Sequence, residues 1–167
     1  RQDSAQGDRA VLDILSRFGA RVFWAGDAVT VSPGKLSGIE FDASDIPDLV
    51  PVLSAVACRA SGRTVIRGAS RLRIKESDRL AATADVLGHL GAAISETPDG
   101  LVIDGGRPLS GGTVNAWNDH RIAMTAAAAS LLASGPVTIT GAEAVNKSYP
   151  AFFEDFAALG GETEASP

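Results

Sequence analysis

Residues 71–79 read Arg-Leu-Arg-Ile-Lys-Glu-Ser-Asp-Arg and hold the densest potential chemistry in the chain. Arg71, Arg73, Lys75 and Arg79 stand there against Glu76 and Asp78. A strand-like stretch, Thr64 to Arg67, leads in through Gly68, and an apolar-periodic stretch (Leu80, Ala84, Leu87) leads out. The order is strand, loop, helix, with the charges on the loop and the first helical turn. Free backbone donors at a helix start, beside Lys and Arg, can hold a phosphate or a carboxylate. Glu76 and Arg79 are spaced to share one face of a helical turn. A carboxylate held among cations is also a candidate proton shuttle, given burial that moves its pKa toward neutrality. The competing reading is a solvated helix start with weak local ion pairs, the commoner fate of a charge run.

Two further stretches sit at the starts of strongly apolar helices. Ile46-Pro-Asp48 opens one and Asn118-Asp-His-Arg121 the other. Asp48 alone is most simply a cap for free helix N–H groups, and Asn118 or Asp119 can cap the second helix equally well. His120 and Arg121 are harder to dismiss, because polar groups at the mouth of an apolar helix must find partners when buried. His89 lies on an amphipathic helix and is expected to face solvent. The sequence contains no CxxC, no His pair at metal spacing, and no Walker or dinucleotide glycine loop. Neither a metal nor a nucleotide cofactor is indicated.

The elements that must position these residues recur. A first helix (Val11, Leu12, Leu15, Phe18) follows a possible Gly7-Asp8 cap and ends at Gly19, and a hairpin turns at Gly26-Asp27. Residues 33–47 read as loop and short strand. A buried helix is expected over Asp48–Ala60, with Pro51 tolerated in its first turn, and a strand over Thr64–Arg67. The series then restarts: a helix from about Glu76 to Leu90, a hairpin turning at Asp99-Gly100, a short strand over Thr113–Ala116, a buried helix over Asp119–Ala133 and a strand over Val137–Thr140. A third helix starts near Tyr149-Pro150 and ends at Gly160. The helix ends at Gly19, Gly91 and Gly160 are 72 and 69 apart, Ala-Ser-Gly recurs after 73 residues at 60–62 and 133–135, and Lys75 and Lys147 are 72 apart. Such a period is too long for a solenoid and suits a duplicated α/β unit. Repeat-related loops open on one end of such a fold, so Asp48, Lys75, His120, Arg121 and Lys147 can converge.

With 167 residues, 45% of them hydrophobic and 21% charged, the chain is expected to be one domain or a large piece of one. A net charge of -5 and 5% aromatics argue against a nucleic-acid-binding face. No apolar run is long enough to span a bilayer, the first residues do not form a signal peptide, and the chain lacks an initiator Met. It reads as a fragment. Cys58, the one cysteine, sits in an apolar run as an expected buried, inert thiol.

Leu72-Arg-Ile-Lys-Glu-Ser-Asp-Arg79 together with Asn118-Asp-His-Arg-Ile-Ala-Met124 resembles the 3-phosphoshikimate 1-carboxyvinyltransferase (EPSP synthase) family. Ile46-Pro-Asp48 and Lys147-Ser-Tyr-Pro150 fall in the same order. The resemblance implies an α/β (α+β) architecture of repeated βαβαββ units, the inside-out α/β barrel of the enolpyruvyl transferases. The chain would then be a single partial domain, roughly the last two repeat units of the C-terminal domain, paired in a monomeric enzyme with an N-terminal domain it does not contain. The implied reaction moves the enolpyruvyl group of phosphoenolpyruvate to the 5-hydroxyl of shikimate 3-phosphate, in the cytoplasm and without a cofactor. By resemblance, Asp48 would accept the hydroxyl proton, Lys75 would contact that hydroxyl, and Glu76 would exchange a proton with the enolpyruvyl methylene. Arg79, Arg121 and Lys147 would bind the phosphate and carboxylate of phosphoenolpyruvate, with His120 hydrogen-bonding nearby. Arg71 stands where some members carry an Asn that touches the shikimate phosphate. With half the cleft absent, the chain alone is expected to be inactive. Two alternatives stay open: a sister transferase acting on a UDP-sugar, and a non-catalytic anion-binding or scaffold domain of the same fold.

Overall fold

A computed structural model describes residues 7–165. A 3-10 turn (Gly7–Arg9) runs into α1 (Ala10–Phe18) with no side-chain cap, so the expected Gly7-Asp8 cap is not formed. Gly19, at φ 112, ends α1 in the left-handed region that only glycine enters freely. β1 (Arg21–Ala25) and β2 (Ala28–Ser32) form the expected hairpin about Gly26-Asp27. β3 (Glu40–Asp42) follows, then a 3-10 turn (Pro47–Leu49), α2 (Val50–Arg59) and β4 (Gly62–Arg67). Another 3-10 turn (Ser70–Ile74) precedes α3 (Arg79–His89), β5 (Ala93–Thr97), β6 (Gly100–Gly105) and β7 (Gly112–Asn115). α4 (His120–Ser130), β8 (Val137–Thr140), a 3-10 turn (Ala142–Lys147) and α5 (Phe152–Ala158) complete the series.

Two parallel crossovers carry the fold. β3 pairs with β4 across α2, and β7 pairs with β8 across α4. The β5–β6 hairpin joins the first of them through β6, antiparallel to β4, giving the order β3-β4-β6-β5. The repeat is visible atom by atom. Ala43 N–H donates to Arg67 O and Ala116 N–H donates to Thr140 O, both at 2.8–2.9 Å. Asp42 and Asn115, at matching register positions, each accept the backbone N–H two residues on, at 2.8 and 2.6 Å.

Several expected boundaries move, each for a local reason. Helix α3 begins at Arg79, not near Glu76, because the Asp78 carboxylate takes the N–H groups of Leu80 and Ala81 and so fixes the cap. The segment before it coils as a 3-10 turn, where the Arg73 guanidinium reaches Thr97 O and Pro98 O of the second hairpin. Helices α2 and α4 are likewise shorter than Asp48–Ala60 and Asp119–Ala133, since Asp48 lies in the preceding 3-10 turn and Asp119 is the cap. The second hairpin turns at Pro98-Asp99, one residue before the expected Asp99-Gly100, because Thr97 pairs with Gly100. Gly100 serves packing instead: a Cβ there would stand 1.8 Å from Ile66 O.

The core lies between the four-stranded sheet and helices α2, α3 and α4. Leu53, Ile66, Leu80, Leu87, Leu101, Ile103 and Ile122 are fully enclosed in it. At about 25 cal/mol per Å2 of apolar surface, this burial is the main force holding the site-bearing loops in register. Cys58 is buried as expected, and burial pushes its thiol up to about 11. A smaller cluster of Ala116, Ala123 and Val145 seats Phe152 and Phe153 of α5. Among the described residues no helix is long and apolar enough to cross a membrane.

Candidate active site

Every parallel strand is followed by a loop that carries a residue singled out from the sequence. Asp48 follows β3, Lys75, Glu76 and Arg79 follow β4, His120 and Arg121 follow β7, and Lys147 follows β8. Ligand sites of open α/β sheets form at these carboxyl ends. The loops do converge, and the centre of convergence is Arg79.

Arg79 is 1% exposed, so its guanidinium must be satisfied from inside the protein. Its Nε donates to Asp119 Oδ2 at 2.8 Å and its Nη2 to Asp119 Oδ1 at 3.2 Å. Nη2 also reaches Glu76 Oε2 at 2.7 Å, and Nη1 reaches Asp48 Oδ1 at 2.9 Å. One rigid fork thus ties three loops together, which the planar guanidinium suits and a lysine would not. The expected Glu76–Arg79 pair is present, although Glu76 lies before the helix and not on its first turn. A solvated helix start is the wrong description of this segment at Arg79.

Asp48 makes no capping bond. Its carboxylate receives Arg121 Nη2 at 3.1 Å in addition to Arg79, with the Lys75 ammonium 3.6 Å away. Lys75, Asp48 and Arg121 are all about one-third exposed at the side chain, so they form the open floor of the site. Glu76 is 46% exposed, and the burial that a proton-shuttle role calls for is absent in this chain. Lys147 donates to both the main-chain O and the Oδ1 of Asn118, each at 2.6 Å.

Asp119 is the residue that sequence reasoning undervalued. It caps α4 through the Arg121 N–H at 2.9 Å, as expected, but it is also fully buried and accepts from Ser77 Oγ at 3.0 Å. Burial opposes its ionisation, yet the Arg79 guanidinium, the Arg121 amide and the Ser77 hydroxyl together hold its carboxyl below the ordinary aspartate value. The available signal was its place before an all-apolar helix, where a charged cap cannot face water. His120 fares differently from expectation. Its Nδ1 is buried 4.0 Å from Asp119 Oδ1 and has no hydrogen-bond partner among the described residues, because Asp119 is already taken. His89 is exposed, as expected, beside Asp85.

The arrangement sets four cations (Lys75, Arg79, Arg121, Lys147) against three carboxylates (Asp48, Glu76, Asp119), a surplus of one positive charge at the mouth of the strands. The cations exposed to solvent can bind anionic groups, and the exposed carboxylates Asp48 and Glu76 can exchange protons.

The family model described as EPSP synthase (3-phosphoshikimate 1-carboxyvinyltransferase) matches residues 1–156. The 3-phosphoshikimate 1-carboxyvinyltransferase of Clostridium kluyveri is 49% identical over 162 residues, covering 97% of this chain and 38% of the relative. That of Methanocella arvoryzae is 50% identical over 163 residues, covering 96% of this chain and 38% of the relative. The EPSP synthase structure from Acinetobacter baumannii superposes with a TM-score of 0.81 at 36% identity, over 95% of this chain and 40% of that one. The enolpyruvyl transferase NikO from Streptomyces tendae gives 0.77 at 31% identity, over 93% and 37%. The chain therefore spans about two-fifths of the length of these relatives and shares the α/β fold of the enolpyruvyl transferases. On the family match and these identities together, the chain belongs to the EPSP synthase (3-phosphoshikimate 1-carboxyvinyltransferase) family.

Proposed function

We propose that this chain is the phosphoenolpyruvate-side part of an enzyme that transfers an enolpyruvyl group to the 5-hydroxyl of shikimate 3-phosphate. The observation that carries the reading is the convergence of Lys75, Arg79 and Arg121 on Asp48, with Glu76 paired to Arg79 and Lys147 tied to Asn118 in the loop that leads to Arg121. Phosphoenolpyruvate has a phosphate and a carboxylate, and guanidinium forks suit both. Within the chain Asp48, Glu76 and Asp119 pair with Lys75, Arg79 and Arg121, while Lys147 is held by the uncharged oxygens of Asn118. An incoming anion takes the place of Glu76, the most exposed of the three, on Arg79 Nη2. Arg121 and Lys147 take up the second anionic group.

Releasing Glu76 is also what the chemistry requires. Glu76, which must take up a proton once the anion has replaced it on Arg79, gives that proton to the methylene carbon. The 5-oxygen adds to the neighbouring carbon, and Asp48 takes the hydroxyl proton with Lys75 beside it. The adduct then loses phosphate as Glu76 removes a proton from the new methyl group, restoring the double bond. His120, whose buried Nδ1 has no partner among the described residues, offers that nitrogen to a group bound in the same site. The rest of a longer polypeptide supplies the opposite wall, the remaining cations and the exclusion of water. The chain alone does not turn over.

The test is an NMR titration of the chain with phosphoenolpyruvate, following the amides of residues 75, 79, 121 and 147. All four are expected to shift together at millimolar ligand, while Arg121→Ala abolishes the response. Shifts confined to one loop, or none in a well-dispersed spectrum, would overturn the half-site reading.

A further inference from the structure

Trp117 and Asn118 are the only non-glycine residues with positive φ among the described residues, at 54° and 52°. A residue with a Cβ holds this conformation only where its surroundings enforce it, and such outliers gather at functional sites. The surroundings here are specific. Asn115 Oδ1 accepts the Trp117 N–H at 2.6 Å, and the indole Nε1 donates to Asp85 Oδ2 of α3 at 3.0 Å. Asn118 then turns both of its oxygens to the Lys147 ammonium. Two of the three ammonium protons are engaged and one is left for a ligand.

The repeat supplies an internal control. By the register of the parallel strands, Ser44 and Asp45 stand where Trp117 and Asn118 stand. The first crossover makes the same side-chain turn, Ser44 N–H to Asp42 Oδ1 at 2.8 Å, without either residue entering the left-handed region. The turn therefore does not require the strained backbone. What differs is the lysine: Lys75 lies 3.6 Å from Asp48 Oδ1, whereas Lys147 is chelated by Asn118. The strain accompanies the chelate.

We propose that the Trp117–Asn118 pair is a positioning device that fixes the Lys147 ammonium at the mouth of the site, with Asn118 as the positioning residue. Its value for anion binding rests on the function proposed above, but its existence does not. Both are read from the intact chain carrying lysine side chains labelled with 15N and 13C. In the wild type the Lys147 ammonium signal should be immobilised and distinct from the bulk lysines. Asn118→Ala should collapse it into the bulk, whereas Asn118→Asp, which keeps both oxygens, should preserve it. Asn118→Gly, free to adopt positive φ, should melt at a higher temperature than Asn118→Ala, a result that a merely space-filling Asn118 would not give. A Lys147 signal unchanged in a folded Asn118→Ala variant overturns the device. A freed lysine with phosphoenolpyruvate affinity about tenfold weaker supports device and function together. A freed lysine with unchanged affinity supports the device and removes Lys147 from the anion site.

Discussion

The two crossovers of this chain share their strand register and the first turn after it, and differ in the residues that could react. In both, a side-chain acceptor (Asp42 or Asn115) closes the turn after the first strand, and the next residue (Ala43 or Ala116) bonds across to the second strand. Continuing along the same register, Ile46 corresponds to Asp119 and Asp48 to Arg121, 73 residues apart. Ile46 is 7% exposed and apolar, while Asp119 is fully buried and charged. Asp48 and Arg121, at equivalent places, bear opposite charges and bind each other. Duplication thus provides two copies of a launching geometry that face one another, and substitution at facing positions makes a site from them. The scaffold is symmetric and the chemistry is not.

The largest expected effect tests the most asymmetric pair. Asp119→Ala removes a cap and leaves Arg79, which is buried, without two of its hydrogen bonds. Loss of one partner from a buried ion pair costs about 3–5 kcal/mol, and a denaturant midpoint will report it. The loss should itself depend on pH. The Asp119 carboxyl lies below its ordinary value in the folded chain, so the folded state binds fewer protons than the unfolded one. Its contribution is present above the ordinary aspartate range and disappears as pH falls through the lowered folded value. Wild type and variant should therefore converge in acid. A difference below about 1 kcal/mol at neutral pH would mean that Asp48 and Glu76 suffice for Arg79, and that Asp119 is no more structural than Ile46.

The hairpins offer the next contrast. Gly100 begins β6 and Ala28 begins β2, and only β6 has a neighbouring strand on its far side among the described residues. The consequence is visible in Val29 and Val31, 41% and 45% exposed, against Leu101 and Ile103, which are fully buried. Gly100→Ala drives a methyl into Ile66 O and should cost about 1–3 kcal/mol or more, whereas Ala28→Gly should cost less than about 1 kcal/mol. Equal losses would show that the β4–β6 contact can give way, so that the glycine is there for the turn after all.

Asp48 and Arg121 test whether equivalent positions are interchangeable. Each side chain is 30% exposed, so a double-mutant cycle of Asp48→Ala and Arg121→Ala should return a coupling of no more than about 1 kcal/mol. Exchanging them, Asp48→Arg with Arg121→Asp, should not restore stability, because an arginine at 48 would face Arg79 and Lys75. Full recovery would mean that the pair is a local bridge, independent of the Arg79 hub.

Much of this is legible in the sequence alone, for a physical reason. Helix ends at glycine, apolar periodicity and the recurrence near 72 residues are local properties, and local properties dictated the order of elements. Convergence of Asp48, Lys75 and Arg121 is legible in the repeat alone, since loops after corresponding strands open together, and Lys147 joins the neighbouring loop through Asn118. The misreadings were cases where a distant partner decided. For Arg79 the charged neighbours in sequence leave both an anion-binding and a solvated reading open, and residues 31 and 40 positions away, which enclose it, decide against the solvated one. Glu76 looked helical until Asp78 captured the cap. Gly100 looked like a turn residue because Asp-Gly is a turn signal, and its true constraint is a carbonyl on another strand. Nothing in the spacing of Trp117 and Asn118 announces left-handed backbone, and their side-chain partners, Asp85 and Lys147, lie on two other elements.

The smallest expected effect is the sharpest check on the symmetric half of the comparison. Asn115→Asp converts the second turn to the chemistry of the first, where Asp42 accepts from Ser44 and is held below the ordinary carboxylate range by the Ser44 side chain and backbone. The acceptor oxygen facing Trp117 N–H is retained, and only the 3.2 Å bond from Asn115 Nδ2 to Thr140 Oγ1 is lost. Both groups are exposed, so the change in stability should stay within about 0.5 kcal/mol. If the turns are equivalent devices, Trp117 and Asn118 keep their backbone conformation and the amide shifts of residues 116–119 barely move. A loss of several times that size would show that the second turn uses its amide group as well as its oxygen. The likeness of the two crossovers would then stop at the strand register and not extend to the loops that carry the site.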